Sequence, residues 1–121
     1  MLTDFTETNL LGALESCDDT AFAALPFGAI AMMADGTVVR YNDYESSRSG
    51  LSPANVIGKN FFHEVALCIN NDKVGRRLLS EPLLDLRMPY VMTFRMKPRR
   101  VELRLLRSPA AHHMYLLLQD R

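Results

Sequence analysis

Phe27-Gly28-Ala29-Ile30-Ala31-Met32-Met33 is an apolar run, Asp35-Gly36 breaks it, and Thr37-Val38-Val39-Arg40-Tyr41 follows, rich in β-branched residues. Asp-Gly is a pair that tight hairpins favour, because glycine accepts the positive φ the turn requires. The stretch therefore predicts two antiparallel strands. Upstream, residues 6–24 carry Leu10, Leu11, Leu14, Phe22 and Ala23, with Leu25 just beyond, at spacings of three and four interrupted by Cys17-Asp18-Asp19. This predicts two short amphipathic helices, the second capped by Asp18 or Asp19. Downstream, Asn42 to Gly50 is polar and rich in cap formers. Ser52-Pro53-Ala54-Asn55-Val56-Ile57-Gly58 has serine at a cap, proline at a first helical position and glycine at the close, so short helical turns are expected.

Asn60 is placed to cap another short helix through Phe61, Phe62 and Val65, with Cys68 just past its end. Lys73 to Leu79 predicts one longer helix ended by Pro82. The last third reads as strands at Tyr90–Met96, at Val101–Leu105, where apolar and charged residues alternate, and at Met114–Leu118. Turns are expected at Lys97-Pro98 and Ser108-Pro109. Two strands, a helical middle and three strands predict an α/β (α+β) fold. Its form is an antiparallel five-stranded sheet with helices on one face and an N-terminal helical cap, the PAS arrangement.

A chain of 121 residues that is 48% hydrophobic has material for one core, so a single domain over 1–121 is expected, with 1–24 as the cap and 25–121 as the body. Lys plus Arg (14) equals Asp plus Glu (14), so no overall field favours nucleic acid, an anionic membrane or an acidic substrate. Basic residues gather at Arg76-Arg77 and Lys97-Pro98-Arg99-Arg100, and the second group reads as a solvated turn rather than a phosphate site. No apolar stretch reaches the length of a membrane span. Met1-Leu2-Thr3-Asp4-Phe5 lacks the basic and apolar regions of a secretory signal, so a cytoplasmic location is expected. With only Cys17 and Cys68, free thiols are expected rather than a disulfide framework.

Three residues of the helical middle could carry chemistry: Tyr41, Glu45 and Cys68. Tyr41 and Glu45 are four apart, so a helical turn between them would put both on one side. Taken alone, Glu45 reads as a solvated surface residue and Cys68 as a small core filler.

The surrounding residues alter that reading. Leu25-Pro26-Phe27-Gly28-Ala29-Ile30, Asp35-Gly36, Tyr41-Asn42, Glu45, Val56-Ile57-Gly58-Lys59-Asn60-Phe61-Phe62 and Val65-Ala66-Leu67-Cys68 closely resemble the photoactive yellow protein family. The match runs without a gap from about Leu25 to Cys68 and thins beyond to Thr93-Phe94, Pro98, Val101 and Tyr115. The resemblance implies a blue-light receptor of the PAS fold that carries p-coumaric acid (4-hydroxycinnamic acid) as a thioester on Cys68. It further implies that Tyr41 and Glu45 donate hydrogen bonds to the phenolate oxygen. Ser49 supports Tyr41 from a position where the best-known member has threonine, and Leu51, Ala66, Leu67, Phe94 and Met96 line the pocket. Trans–cis photoisomerisation, proton transfer from Glu45 and partial unfolding of the N-terminal segment are the implied signal.

The chemistry is consistent with that trio. A free phenol titrates near pH ~10, so keeping one ionised at neutral pH needs roughly 4 kcal/mol of stabilisation. Two short donor bonds can supply it, and Glu45 can donate only if burial keeps it protonated. Leu51 stands where the best-known member has an arginine, so no cation comes from that position. Leu67 replaces a proline, Met92 a tyrosine, and Met92 and Met96 read equally as core residues.

The alternative is a PAS module that is not photoactive and binds another ligand or a protein. No catalytic and no metal-binding residues are expected: His63 lacks the partners of a Cys-His hydrolase, His112-His113 would point to opposite faces, and Cys17 lies between acidic residues. An enzyme is not predicted. The expected partner is a downstream signalling protein reached by contact, with no nucleic acid or membrane, and the chain is expected to be a monomer or weak dimer.

Overall fold

The computed structural model describes residues 4–94 and 97–121. Two short helices, α1 (Leu10–Ser16) and α2 (Asp19–Ala23), open the chain, and the Asp18 carboxylate caps α2 by accepting the backbone N–H of Ala21. The expected hairpin follows as β1 (Gly28–Met32) and β2 (Val38–Tyr41), antiparallel with Ile30 opposite Tyr41. Then come α3 (Asp43–Ser49), α4 (Pro53–Val56), a π-helical turn over Phe61–Val65, a 3₁₀ turn over Leu67–Ile69 and α5 (Gly75–Ser80). Strands β3 (Leu84–Phe94), β4 (Lys97–Arg107) and β5 (Met114–Asp120) complete one five-stranded sheet of order β2-β1-β5-β4-β3, every neighbouring pair antiparallel.

Three expectations need correction. Strand β3 starts at Leu84 and not at Tyr90, with Pro89 inside it opposite Glu102. It lies at the edge of the sheet, where a residue without an N–H breaks no ladder. Lys97-Pro98 forms no turn but opens β4, paired with Phe94 and Thr93, for the same reason: a proline is tolerated where a strand begins beside an edge. Finally, α5 begins at Gly75 rather than Lys73, because the Asn71 side chain accepts the N–H groups of Lys73 and Val74 and holds them in a turn.

The two-residue period of the strands divides the core between the two faces of the sheet. On one face Ile30, Met32, Val101, Leu103, Leu105, Leu116 and Leu118 meet Val56, Phe61, Phe62, Ile69, Val74 and Leu78 from the helical middle. On the other, Ala29, Ala31, Leu106, Tyr115 and Leu117 meet Phe5, Leu10, Leu14 and Phe22 of the N-terminal segment. Polar bonds also hold that segment down: Arg104, 4% exposed, donates to the carbonyls of Phe5 (2.9 Å) and Glu7 (2.7 Å). Among the described residues no helix is long and apolar enough to cross a membrane.

Candidate functional site

The site begins at the junction of β2 and α3. Asn42 caps the helix by accepting the Glu45 N–H (3.2 Å), and the same buried side chain accepts the Ala29 N–H (3.0 Å) and donates to the Phe27 carbonyl (2.7 Å). The helix start is thereby fastened to β1. Gly50 ends α3 at φ 77, the left-handed conformation that suits glycine, with its N–H on the Ser46 carbonyl.

Tyr41 and Glu45 are brought together, though not on one helix as their spacing suggests. Tyr41 is the last residue of β2, and the chain enters α3 only after the Asn42 cap. Tyr41 is 4% exposed, and its hydroxyl lies 2.8 Å from Ser49 Oγ one helical turn past Glu45. Burial pushes the Tyr41 phenol well above its usual range, the neighbouring Glu45 charge adds to this, and the Ser49 bond and Arg99 offset part of it.

Glu45 is fully buried, not solvated. Its room comes from Gly28 on β1, where a β-carbon would collide with Glu45 Oε1. Its partner is Arg99 of β4, whose Nη1 donates to Oε2 at 2.7 Å, while among the described residues Oε1 has no hydrogen-bond partner and neither does Arg99 Nη2. Burial lifts the Glu45 carboxyl above the usual carboxylate range, and the bond and charge of Arg99 undo only part of that rise. Arg99 also donates from Nε to Asp120 Oδ1 (2.8 Å), and Asp120 Oδ2 accepts from Arg48 Nε (2.9 Å). A file of alternating charges thus runs from Glu45 to a surface cleft of about 630 Å³ lined by residues that include Arg48, Lys97, Arg100 and Asp120.

Arg99 corrects the reading of Lys97-Pro98-Arg99-Arg100 as a solvated turn, since its side chain is 15% exposed and turned inward. The signal was present in the alternation: counting back by twos from the inward Leu105, Leu103 and Val101 reaches Arg99. The same count along β3 from the inward Met92 finds Tyr90, which the sequence reading did not single out.

Cys68 lies on the 3₁₀ turn, partly buried against the same apolar cluster that contains Tyr41, Ala66 and Met92. Its carbonyl accepts from Tyr90 Oη (2.8 Å) and Asn71 Nδ2 (3.3 Å), so β3 fixes the turn in place. No hydrogen bond joins Cys68 to Tyr41 or Glu45 among the described residues; what Cys68 shares with Tyr41 is the apolar cluster. Leu51 packs against that cluster, and its N–H donates to Ser49 Oγ (3.2 Å). Leu67 departs from its expected role: it is 67% exposed, because on so tight a turn Ile69 takes the inward position. Phe94 ends β3, its side chain falls outside the described residues, and so does Met96. Among the described residues no cluster of three or more His, Cys, Asp or Glu could hold a metal.

No family model matches the chain. The photoactive yellow protein of Rhodothalassium salexigens is 32% identical over 107 residues, covering 86% of this chain and 86% of that protein. Among solved structures, the photoactive yellow protein domain of the sensor histidine kinase Ppr from Rhodospirillum centenum is 35% identical. It superimposes at a TM-score of 0.82 over 90% of this chain and 98% of that domain. The PAS domain of an HTR-like protein from Haloarcula marismortui, 20% identical with a TM-score of 0.68 over 85% of this chain and 88% of its own, shares the fold. The sheet order, the helical middle and a likeness that spans most of both chains agree, and the chain belongs to the photoactive yellow protein family, built on the PAS fold.

Proposed function

We propose that the chain is a blue-light receptor that holds p-coumaric acid as a thioester on Cys68, with Tyr41 and Glu45 as donors to its phenolate oxygen. The observation that carries this reading is the buried Glu45 Oε1, which has no hydrogen-bond partner among the described residues. A buried acceptor or donor without a partner costs about 1–3 kcal/mol, so an oxygen-bearing ligand beside it is favoured. Tyr41, Ser49 and a partly buried thiol against the same apolar cluster fit an aromatic acid attached through sulfur.

Bound there, the p-coumaroyl group would supply light absorption and isomerisation about its double bond. Cys68 Sγ anchors it, and the Tyr90 and Asn71 bonds to the Cys68 carbonyl keep the anchor still. Tyr41 is oriented by Ser49, and its high pKa keeps the hydroxyl proton in place as a donor. Glu45 holds its proton because burial disfavours the carboxylate, and this makes it the group able to release one when its environment changes. The carboxylate left behind lies in a poor solvent, which strains the site and favours rearrangement.

The signal under this reading passes to the N-terminal segment, residues 1–24 acting as a cap on a body of 25–121 in one domain. The chain then works as a sensor module and not an enzyme, with Leu51, Ala66 and Phe94 beside the ligand. Its output passes by contact to a signalling partner, as the relative that is a domain of a sensor histidine kinase suggests.

The test is an absorption spectrum of protein prepared with activated p-coumaric acid. A visible band in the wild type that is absent from Cys68→Ala is the expected result. An uncoloured, unmodified wild type overturns the reading and leaves a PAS module of another purpose.

A further inference from the structure

Arg99 has no part in the reading above, yet it makes the shortest bond to Glu45. We propose that Arg99 is the positioning residue of Glu45: it grips the carboxyl group by Oε2, leaves Oε1 as the proton-bearing atom, and takes up the charge that remains when that proton leaves. The inference rests on Glu45 being the acid of the proposed site.

Every element packed round the carboxyl group narrows the choice of cation. Strand β1 contributes Gly28, which has no side chain. Strand β2 contributes Tyr41, a phenol whose proton is held tightly. Arg48, on α3 itself, is turned to Asp120 at 2.9 Å and stacks over the Tyr44 ring at 3.9 Å. Strand β5 contributes Asp120, an anion that opposes a second negative charge on Glu45. Among the described residues strand β4 alone brings a cation into contact, Arg99 Nη1 at 2.7 Å.

The guanidinium is divided among its neighbours in a way that suits this role. Nη1 serves Glu45 and Nε serves Asp120, so the fork is held from two sides while Nη2 keeps a donor in hand. Once the proton has left, the pair therefore carries one spare acceptor, Glu45 Oε1, and one spare donor, Arg99 Nη2, each on a different partner. A planar fork with two donors can answer a carboxylate with both of its oxygens, which a lysine cannot do in the same geometry. Asp120 tunes the strength of the grip, since an anion on the far side of Arg99 draws off part of its charge. It also stands at the rim of the cleft, 39% exposed, so the state of the buried acid is felt at the surface through one side chain.

The proposal is tested by titrating Glu45 in the folded protein before any chromophore is added. The readout is the ¹³C carboxyl signal of glutamate-labelled protein, assigned with Glu45→Gln. Arg99→Gln is expected to weaken the ionisation constant of Glu45 by about tenfold or more, since an opposite charge at this range favours the ionised form by that order. Arg99→Lys, which keeps a charge, should recover part of the loss. Asp120→Asn, at the exposed rim and far less of a threat to folding, should strengthen the constant by leaving Arg99 to Glu45 alone. A Glu45 titration unchanged in folded Arg99→Gln, or unchanged in Asp120→Asn, overturns the proposal. So does an Arg99→Lys variant that titrates like Arg99→Gln. Because the readout needs no chromophore, a wild type that stays uncoloured while its Glu45 titration shifts as expected would sink the photoreceptor reading alone.

Discussion

Glu45 and Glu15 are the same side chain set against opposite faces of one sheet, and the protein drives them in opposite directions. Glu45 on the helical face is fully buried with one donor, Arg99, and an oxygen left over, and its carboxyl is raised above the usual range. Glu15 of α1, on the face covered by the N-terminal segment, is 17% exposed and accepts from the His112 N–H and the Tyr115 hydroxyl, both at 2.6 Å, with His113 Nδ1 at 3.0 Å. Burial lifts it too, but those three bonds outweigh the lift and leave it below the usual range. Desolvation acts on both acids, more strongly on the deeper Glu45, and its balance against the donors decides the outcome. A carboxylate with three partners suits a fastening; one with a single partner is a poised acid.

The comparison can be broken most forcefully at the fastening. Glu15→Gln places an NH₂ group where several donors already converge and removes the charge, and the loss should be about 1.5–3 kcal/mol, the range for hydrogen bonds to charged groups. Denaturant midpoints measure it, and hydrogen exchange should show faster amides across residues 4–24. A smaller effect is expected at Gly28→Ala, which sets a methyl group on Glu45 Oε1 and within 3.2 Å of the Leu118 carbonyl. Overpacking of this kind costs about 1–3 kcal/mol, with the lower half of that range expected because a side chain can yield where backbone cannot. Amides of the N-terminal segment should change less than in Glu15→Gln.

The smallest effect lies in the pH dependence. Glu15 is lowered in the folded state, so it adds stability that is fully present above the ordinary glutamate pKa and is lost as pH falls through its folded value. Glu45 is raised, so the folded protein binds a proton the unfolded chain has released. Its contribution is present below the ordinary value and is lost as pH rises through the folded one. Denaturant midpoints followed against pH should therefore show a smaller acid-side fall in Glu15→Gln and a smaller fall above the ordinary carboxylate pKa in Glu45→Gln. Matching slopes in the two variants would show that the two acids do not differ as described.

The sequence was most readable where the cause was local. Asp18 at the α2 cap, Asp35-Gly36 at the hairpin and Asn60 ahead of Phe61-Phe62 each act on neighbours within a few residues, and their elements form as expected. Burial of Glu45 had no local sign. It depends on Gly28, seventeen positions earlier, lacking a β-carbon, and on Arg99 lying across the sheet. Arg99 was hidden by punctuation: Lys97-Pro98 looks like a turn, and only the parity of β4 shows the guanidinium facing in. Tyr41 and Glu45 feel each other electrostatically without the helical spacing that suggested their pairing, since a strand followed by a capped helix carries them. Cys68 stood out only through resemblance, because a lone thiol beside an apolar cluster carries no pattern of its own.

The side chain of Asn42 caps the start of α3 and fastens it to β1 at once, bonded to Glu45, Ala29 and Phe27. Phe27 belongs to the opposite face, where its ring meets that of Phe5 edge-on at 5.7 Å between centroids. One amide is therefore a rivet through the thickness of the sheet. A helix that tilts at Glu45 must either tear that rivet or drag the Phe27 backbone with it, and in both cases the ring under the N-terminal segment loses its seat. The two faces share a linkage one residue long, so a disturbance made on one side need not travel far to be felt on the other.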